Sequence, residues 1–499
     1  MSGQFNVVEA SISQIHDAMK SNELTCEELV MSYLDRIEAY DQDGPKLNSI
    51  ISINPNAIKR AAEIDEKFAK SGLSGPLHGI PILVKDQAMT AGLRTTFGSQ
   101  AFEDYIPSSD ATIISNLKNA GAIILGKTNL PDFAAGDAGY SSVLGQTKNP
   151  YATDRDPGGS SAGTGAAVAA NLCTVGIGED TGGSIRVPSA NCNLFGIRVT
   201  TGLISRSGLS PLIKRQDTAG PMARTVEDLV RVLDILVGYD PNDTYTTRNK
   251  FVNNKQYLES IEEQAIEGAK IGVLRQAFGD DSDPKCRSVN NCVENAIDSI
   301  QSAGATIIDP IVIDNLDLLI EDSWLYDLAS RNDINSFLSD IEDAPVSSFD
   351  ELYDTDNYYE GLPVIDSIAD GPEDPTSLIK YWKCVDAQTR LQENILRLFF
   401  TYDLDAIVFP DVEVPARSYD FLQNSSGNQR RLMTNTYIAS QSSCPAISMP
   451  AGFTDNGIPV GIELLGAPYS EKKLLSIAAG YEAHTETRQK PKTTPALYN

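Results

Sequence analysis

From about residue 78 the chain alternates short apolar runs, broken by glycine and proline, with stretches suited to helices. "GIPILV" (79–84), "GAIILG" (121–126) and "CTVGIG" (173–178) read as short strands of a buried sheet. A further strand–helix–strand unit runs through "KIGVLR" (270–275), a helix over 288–303 and "ATIIDPIVI" (305–313). Strand-like runs return at "AIVFP" (406–410), "AISMP" (446–450) and "VGIELLG" (460–466). This alternation predicts an α/β layered fold around a buried sheet. Ahead of it the chain reads as helical. Thr25 and Glu28 have capping-box spacing, and Leu29, Val30, Tyr33, Leu34 and Ile37 repeat with helical period.

Charge narrows the class of partner. With 68 acidic against 40 basic residues the net charge is −28, which disfavours nucleic acid and anionic membrane surfaces. No apolar run reaches the roughly 18 residues a spanning helix needs. The first residues, MSGQFNVVEASISQ, lack the basic and apolar regions of a signal peptide. Seven scattered cysteines with no Cys-x-x-Cys read as reduced core residues, so a cytoplasmic location is expected.

The stretch "DPGGSSAGTGAAVAAN" (156–171) first suggests a phosphate loop, but it fails that test. After Gly158 and Gly163 the next residue is Thr164, where a phosphate-binding lysine belongs. In the dinucleotide pattern Val168 occupies a position that requires Gly or Ala. What remains is a serine pair, Ser160 and Ser161, on a glycine-permitted backbone.

A second such turn follows in "GEDTGGSIRVPS" (178–189), where Gly182 and Gly183 precede Ser184. Successive glycines let neighbouring N–H groups converge on one point, as an oxyanion hole requires. The alternative is a Gly-Gly-Ser loop with no chemistry. A serine nucleophile also needs a base. Of the three histidines, His16, His78 and His484, none belongs to a recognisable triad pattern. Lys85 ends the buried-looking strand "IPILVKD", and strand alternation turns the neighbouring Asp86 to the opposite face. Burial there can push the amine toward neutrality. A surface or ion-paired lysine is the competing reading.

Together these segments resemble the amidase signature family. The likeness is carried by "GPLHGIPILVKD" (75–86), "ILGKTNLPDFA" (124–134), "DPGGSSAGTGAAVAA" (156–170), "GEDTGGSIRVPSANCNLFGIRVTTGLIS" (178–205) and "QDTAGPMARTVEDL" (216–229). "PAISMPAGF" and "GIPVGIELLG" add to it. The resemblance implies a serine–serine–lysine triad of Lys85, Ser160 and Ser184. Ser184 would be the acyl-forming nucleophile, and Ser160, after a cis Gly159–Ser160 bond, would bridge it to Lys85. Thr181, Gly182, Gly183 and Ser184 would supply the oxyanion-hole N–H groups. Ala134 would line the acyl pocket, with Ser161 and Arg186 supporting from behind. The family's usual Gly-Gly-Ser after the paired serines is here Ala162-Gly163-Thr164.

The fold implied is one large α/β/α domain with a mixed central sheet and a helical cap insertion. Residues 1–74 form an N-terminal helical region, 75–250 the core, 251–420 the variable cap and 421–499 a return to the core sheet. No cofactor and no metal are implied, and the absence of His-Glu-x-x-His agrees. The activity implied is amide hydrolysis by a monomer or homodimer acting on a small-molecule amide without an obligate partner. The glutamine-hydrolysing subunit of a tRNA-dependent amidotransferase and a non-catalytic scaffold are the alternatives. Between Asn332 and Ile379 stand thirteen acidic residues and no Lys or Arg. This stretch is either a solvated insertion or a lid favouring neutral or cationic substrates.

Overall fold

In a computed structural model the chain is described over residues 5–250, 256–355, 357–359, 362–424 and 434–497. Its strands are β1 (Ile50–Ile53), β2 (Pro81–Lys85), β3 (Ile123–Thr128), β4 (Tyr140–Ser141), β5 (Gly145–Gln146), β6 (Val175–Asp180) and β7 (Phe195–Arg198). They continue as β8 (Thr218–Ala223), β9 (Lys270–Leu274), β10 (Thr306–Ile311), β11 (Ala406–Pro410), β12 (Ala446–Phe453) and β13 (Pro459–Leu465). All but the small β4–β5 pair join one mixed sheet of 11 strands, ordered β1-β3-β2-β6-β8-β7-β12-β13-β11-β9-β10. β3, β2 and β6 run parallel, as do β11, β9 and β10, while the strands between are antiparallel.

Two apolar cores pack on the sheet: consecutive residues of β2 (82–84) and β3 (123–125) all join the first, while along β11 strand alternation divides residues between the two. Along β11, Ala406 and Val408 join the first core while Ile407 and Phe409 join the second. The first core lies beneath helices that include Cys26–Ile37, Val226–Leu236, Pro284–Ser302 and Glu471–His484. The N-terminal signal is realised as written. Thr25 and Glu28 form both halves of a capping box at the start of Cys26–Ile37, whose Leu29, Val30, Tyr33 and Ile37 are buried. The seven cysteines are free and buried.

The second core carries the cap, whose helices include Leu316–Asp322, Tyr326–Asp340, Phe349–Asp354, Pro363–Ala369 and Ile379–Tyr402. Two boundaries differ from expectation. Residues 1–74 are not purely helical, because Ile50–Ile53 pairs with β3 at the sheet edge. Nor is 251–420 purely a cap, because β9, β10 and β11 extend the main sheet. The edge strand β1 is placed by a partner far away in sequence, which local periodicity does not report, whereas β9, β10 and β11 fall on the strand-like runs at 270–275, 305–313 and 406–410.

The acidic stretch is built onto the core. Tyr105 Oη donates to the Glu342 carbonyl at 3.2 Å, Ser99 Oγ donates to the Asn357 carbonyl at 3.1 Å, and the Tyr359 ring stacks on Tyr140 with centroids 3.7 Å apart. Asp356 and Glu360 lie outside the described residues. No helix among the described residues is long and apolar enough to cross a membrane.

Candidate active site

The parallel strands β2 and β6 bring the site together. Lys85 is the last residue of β2, and β6 beside it runs into the turn that carries Ser184. The Ser160 turn leads into helix Ala162–Ala169, which is composed only of Ala, Gly, Thr and Val and is buried throughout. Small residues are needed there. A Cβ at Gly163 would collide with Ser49 O and Asn129 N, so only glycine lets this helix approach β3's end.

Lys85 Nζ donates to Ser160 Oγ at 2.7 Å, and both side chains are buried. The Gly159–Ser160 peptide is cis, as the resemblance implies. Ser161 N–H donates to the Ser184 carbonyl at 3.1 Å, which joins the two serine turns through the backbone. Among the described residues no hydrogen bond links the hydroxyls of Ser160 and Ser184. Thus the lysine–serine half of the expected relay is formed here and the serine–serine half is not. Such contacts often tighten only when a substrate is bound. Ser184 itself is 5 % exposed.

Alternation along β2 works as read. Asp86 turns away from the site, pairs with Lys127 Nζ at 3.0 Å and accepts from Thr96 Oγ1 at 2.5 Å. A different carboxylate meets Lys85, however. Glu179 Oε2 lies 3.3 Å from Nζ, and the Glu179 carbonyl accepts from the same amine at 3.2 Å. Glu179 lies within the quoted segment 178–189, but nothing in that segment shows that its side chain meets Lys85, 94 residues away. Burial pushes the Lys85 amine down, opposed by Glu179.

The oxyanion turn departs from expectation at one residue. Gly183 N–H donates to Asp180 Oδ1 at 2.9 Å, so it is engaged by the protein itself. The N–H groups of Thr181, Gly182 and Ser184 form no hydrogen bond among the described residues. Gly183 has φ +133°, a value L side chains rarely adopt. Asp180 organises the turn from beneath, accepting also from Ile185 N–H at 3.1 Å.

Two guanidiniums hold Asp180 in turn. Arg186 Nη2 lies 3.1 Å and Arg198 Nη1 2.9 Å from its Oδ1. Burial alone would raise the Asp180 carboxyl, but these two arginines hold it well below the usual carboxylate range. Arg186 also reaches Glu463 on β13 at 2.6 Å. Ser161 Oγ braces the same strand, donating to the Glu179 carbonyl at 3.1 Å and lying 3.2 Å from Glu179 N. Ser161 and Arg186 thus brace from behind the strand and the turn that carry Ser184.

Ala134 has φ +59° and packs in a small apolar cluster with Ile51 and Leu130. The histidines bond elsewhere: His16 to the His78 carbonyl, His78 to Ser74, and His484 to the Gly480 carbonyl. Among the described residues no His, Cys, Asp or Glu cluster could hold a metal ion.

A wall over the turn was not foreseen. Trp324 stacks on Tyr326 with centroids 4.5 Å apart and meets Tyr437 edge-on at 5.2 Å. Thr436 Oγ1 donates to the Gly182 carbonyl at 2.6 Å. These residues come from the cap and from the helix Thr434–Gln441, far from the recognisable segments.

Comparison with known proteins places nearly the whole chain among relatives of one family. The family model described as Amidase matches residues 28–475. A glutamyl-tRNA(Gln) amidotransferase subunit of Carboxydothermus hydrogenoformans is 32% identical, covering 95% of this chain and 97% of that protein. The native peptide amidase of Stenotrophomonas maltophilia superposes with TM-score 0.86 at 31% identity, covering 98% of this chain and 99% of that one. The corresponding glutamyl-tRNA(Gln) amidotransferase subunit from Thermotoga maritima superposes with TM-score 0.79 at 26% identity, covering 99% of this chain and 100% of that one. With the matched region spanning the whole sheet from helix Cys26–Ile37 to helix Glu471–His484, the chain belongs to the amidase family.

Proposed function

We propose that this protein hydrolyses a carboxylic amide to an acid and ammonia or an amine through an acyl-Ser184 intermediate. The observation that carries the proposal is the buried contact of 2.7 Å between Lys85 Nζ and Ser160 Oγ, beside the turn that presents Ser184. Neutral Lys85 takes a proton from Ser160, which takes one from Ser184 as its Oγ attacks the carbonyl carbon. The N–H groups of Thr181, Gly182 and Ser184 receive the developing oxyanion. The proton then returns by way of Ser160 to the leaving nitrogen, and water releases the acid in a second round. Peptide amidase likeness across the whole chain supports a free-standing enzyme acting on a small-molecule amide.

A second reading has its own support. Curated relatives at 30–33% identity are named as subunits of glutamyl-tRNA(Gln) amidotransferase, and such a chain works with partner chains. The two readings separate in one assay of ammonia release. The first expects turnover of amides by the chain alone, across a panel of aliphatic, aryl and peptide amides. The second expects glutamine turnover that rises on adding partner chains and charged tRNA. A folded wild type that no fluorophosphonate serine probe labels at Ser184 would leave only the scaffold.

A further inference from the structure

Three hydrogen-bond acceptors surround the amine of Lys85: Ser160 Oγ at 2.7 Å, the Glu179 carbonyl at 3.2 Å and Glu179 Oε2 at 3.3 Å. An ammonium group satisfies all three with its three hydrogens. The only charged acceptor among them is Glu179, and the Lys85 and Glu179 side chains are each 2% exposed. At that burial an opposite charge so close strongly favours the ionised amine.

The second oxygen of Glu179 shows which carboxylate keeps its charge. Thr181 Oγ1 lies 3.1 Å from Glu179 Oε1 and 2.7 Å from Asp217 Oδ1. A hydroxyl has one hydrogen, so it cannot donate to both. Two buried carboxylates sharing one hydroxyl do not both ionise readily. Lys85 touches Glu179, whereas the guanidinium that acts on Asp217, Arg206, is itself paired with Asp243 at 2.6 Å. Asp217 has backbone partners in either state, since Leu212 N–H donates to its Oδ2 at 2.9 Å and Ile213 N–H lies 3.0 and 3.1 Å from its Oδ1 and Oδ2, but among the described residues no cation touches it. The arrangement that matches the single Thr181 hydrogen to the carboxylate beside Lys85 has the Asp217 carboxyl donating to Thr181 and Thr181 donating to ionised Glu179. Burial and the Glu179 charge both push Asp217 up, in agreement.

Other charges facing this pair are already matched. Asp180, next to Glu179 on β6, is held by Arg186 and Arg198, and Asp86 beyond Lys85 is held by Lys127. Tyr326, facing from the cap, is kept neutral by burial.

We infer that Glu179 is a positioning residue that governs the charge of the base: its carboxylate holds Lys85 as an ammonium to a higher pH than burial alone would allow. This rests on the reading of Lys85 as the base for Ser184. The proton involved leaves Lys85 Nζ for solvent as pH rises, turning ammonium into amine and leaving Glu179 as the carboxylate. Ser184 therefore gains reactivity toward alkaline pH.

The test follows the rate at which a fluorophosphonate labels Ser184 between about pH 5 and 11, which requires no knowledge of the substrate. For the wild type the rate should rise to an alkaline plateau. In Glu179→Gln the midpoint should fall by at least about one pH unit, so labelling near the foot of the wild-type curve rises about tenfold. Glu179→Asp, which keeps the charge, should stay nearer the wild-type midpoint. Asp217→Asn should leave the midpoint within a few tenths of a unit, because Asp217 is already neutral. Glu179→Ser is read in the same way should Glu179→Gln fail to fold. An unmoved midpoint in a folded, charge-removing variant overturns the inference, as does a shift in Asp217→Asn equal to that in Glu179→Gln. Absence of Ser184 labelling in the wild type at every pH would instead overturn the reading of the site itself.

Discussion

Tyr326 closes over Gly182: a methyl group at Gly182 would collide with the Tyr326 hydroxyl and stand 2.6 Å from Tyr437 Cε1. The cap helix Tyr326–Asp340 thus begins directly above the turn that presents Ser184. The glycine is needed there for clearance as well as for its backbone freedom. The aromatic wall of Trp324, Tyr326 and Tyr437 therefore lies against Gly182.

The triad makes the first prediction. Ser184→Ala should abolish labelling by a fluorophosphonate, and Lys85→Ala should slow it by about 10²–10⁴-fold, the usual contribution of a positioned proton acceptor. Labelling of Lys85→Ala at the wild-type rate would remove the lysine from the mechanism. Mass spectrometry of the modified peptide gives the site in each case.

Gly183 supplies the second. Besides its φ of +133°, an added Cβ would collide with Thr436 Oγ1 and lie 2.6 Å from Thr436 Cβ. Gly183→Ala should displace the turn and lower kcat by about 10²–10³-fold, comparable to losing an oxyanion donor. A variant with an unchanged kcat would show that the turn does not hold the oxyanion.

Asp180 tests what supports that turn. Asp180→Asn leaves Arg186 and Arg198 facing a neutral group in a fully buried cluster, and should destabilise by about 3–5 kcal/mol in urea unfolding. The sign with pH follows from the depressed folded-state value. The stabilisation is fully present above the ordinary carboxylate pKa of the unfolded chain and is lost as pH falls toward the lower folded value. The variant's unfolding midpoint should therefore lie closer to that of the wild type under strongly acidic conditions.

His16 has the opposite chemistry but the same direction. Burial pushes its imidazole down to about 4, so the folded protein holds it neutral while the unfolded chain protonates near 6.5. Stability is fully present above about pH 6.5 and falls as pH is lowered toward 4, because the unfolded state binds the proton first. His16→Asn should flatten the wild-type loss between about pH 7.5 and 5, measured as a shift in Tm. An equal slope in both proteins would assign the loss to other groups.

Substrate choice gives the last prediction. The docked acidic stretch and the aromatic wall should favour neutral or cationic amides, read as kcat/KM across a panel matched for size. A preference for a dicarboxylic monoamide would contradict this. Tyr326→Ala should raise KM for bulky amides more than for short ones, since it removes a ring of the wall above Gly182 against which a bulky group would pack.

Much of the site is legible in the chain because its chemistry is local. Ser160 and Ser184 stand beside the glycines that shape their turns, Lys85 ends an unmistakable strand, and Thr25 announces its helix with Glu28 three residues on. Periodicity and capping depend on neighbours within a few residues, so these features can be read without knowing what packs where. The carboxylate at the lysine, 94 residues away from it, cannot be read in that way. Neither can the bond from Arg186 to Glu463, 277 residues distant, nor the tyrosine above Gly182. By itself the sequence marked most strands of the sheet and the glycine-shaped turns that carry Ser160 and Ser184. Only the packing of the sheet and cap decided which buried charges meet, and buried charges interact strongly with whatever the fold sets within a few ångströms of them.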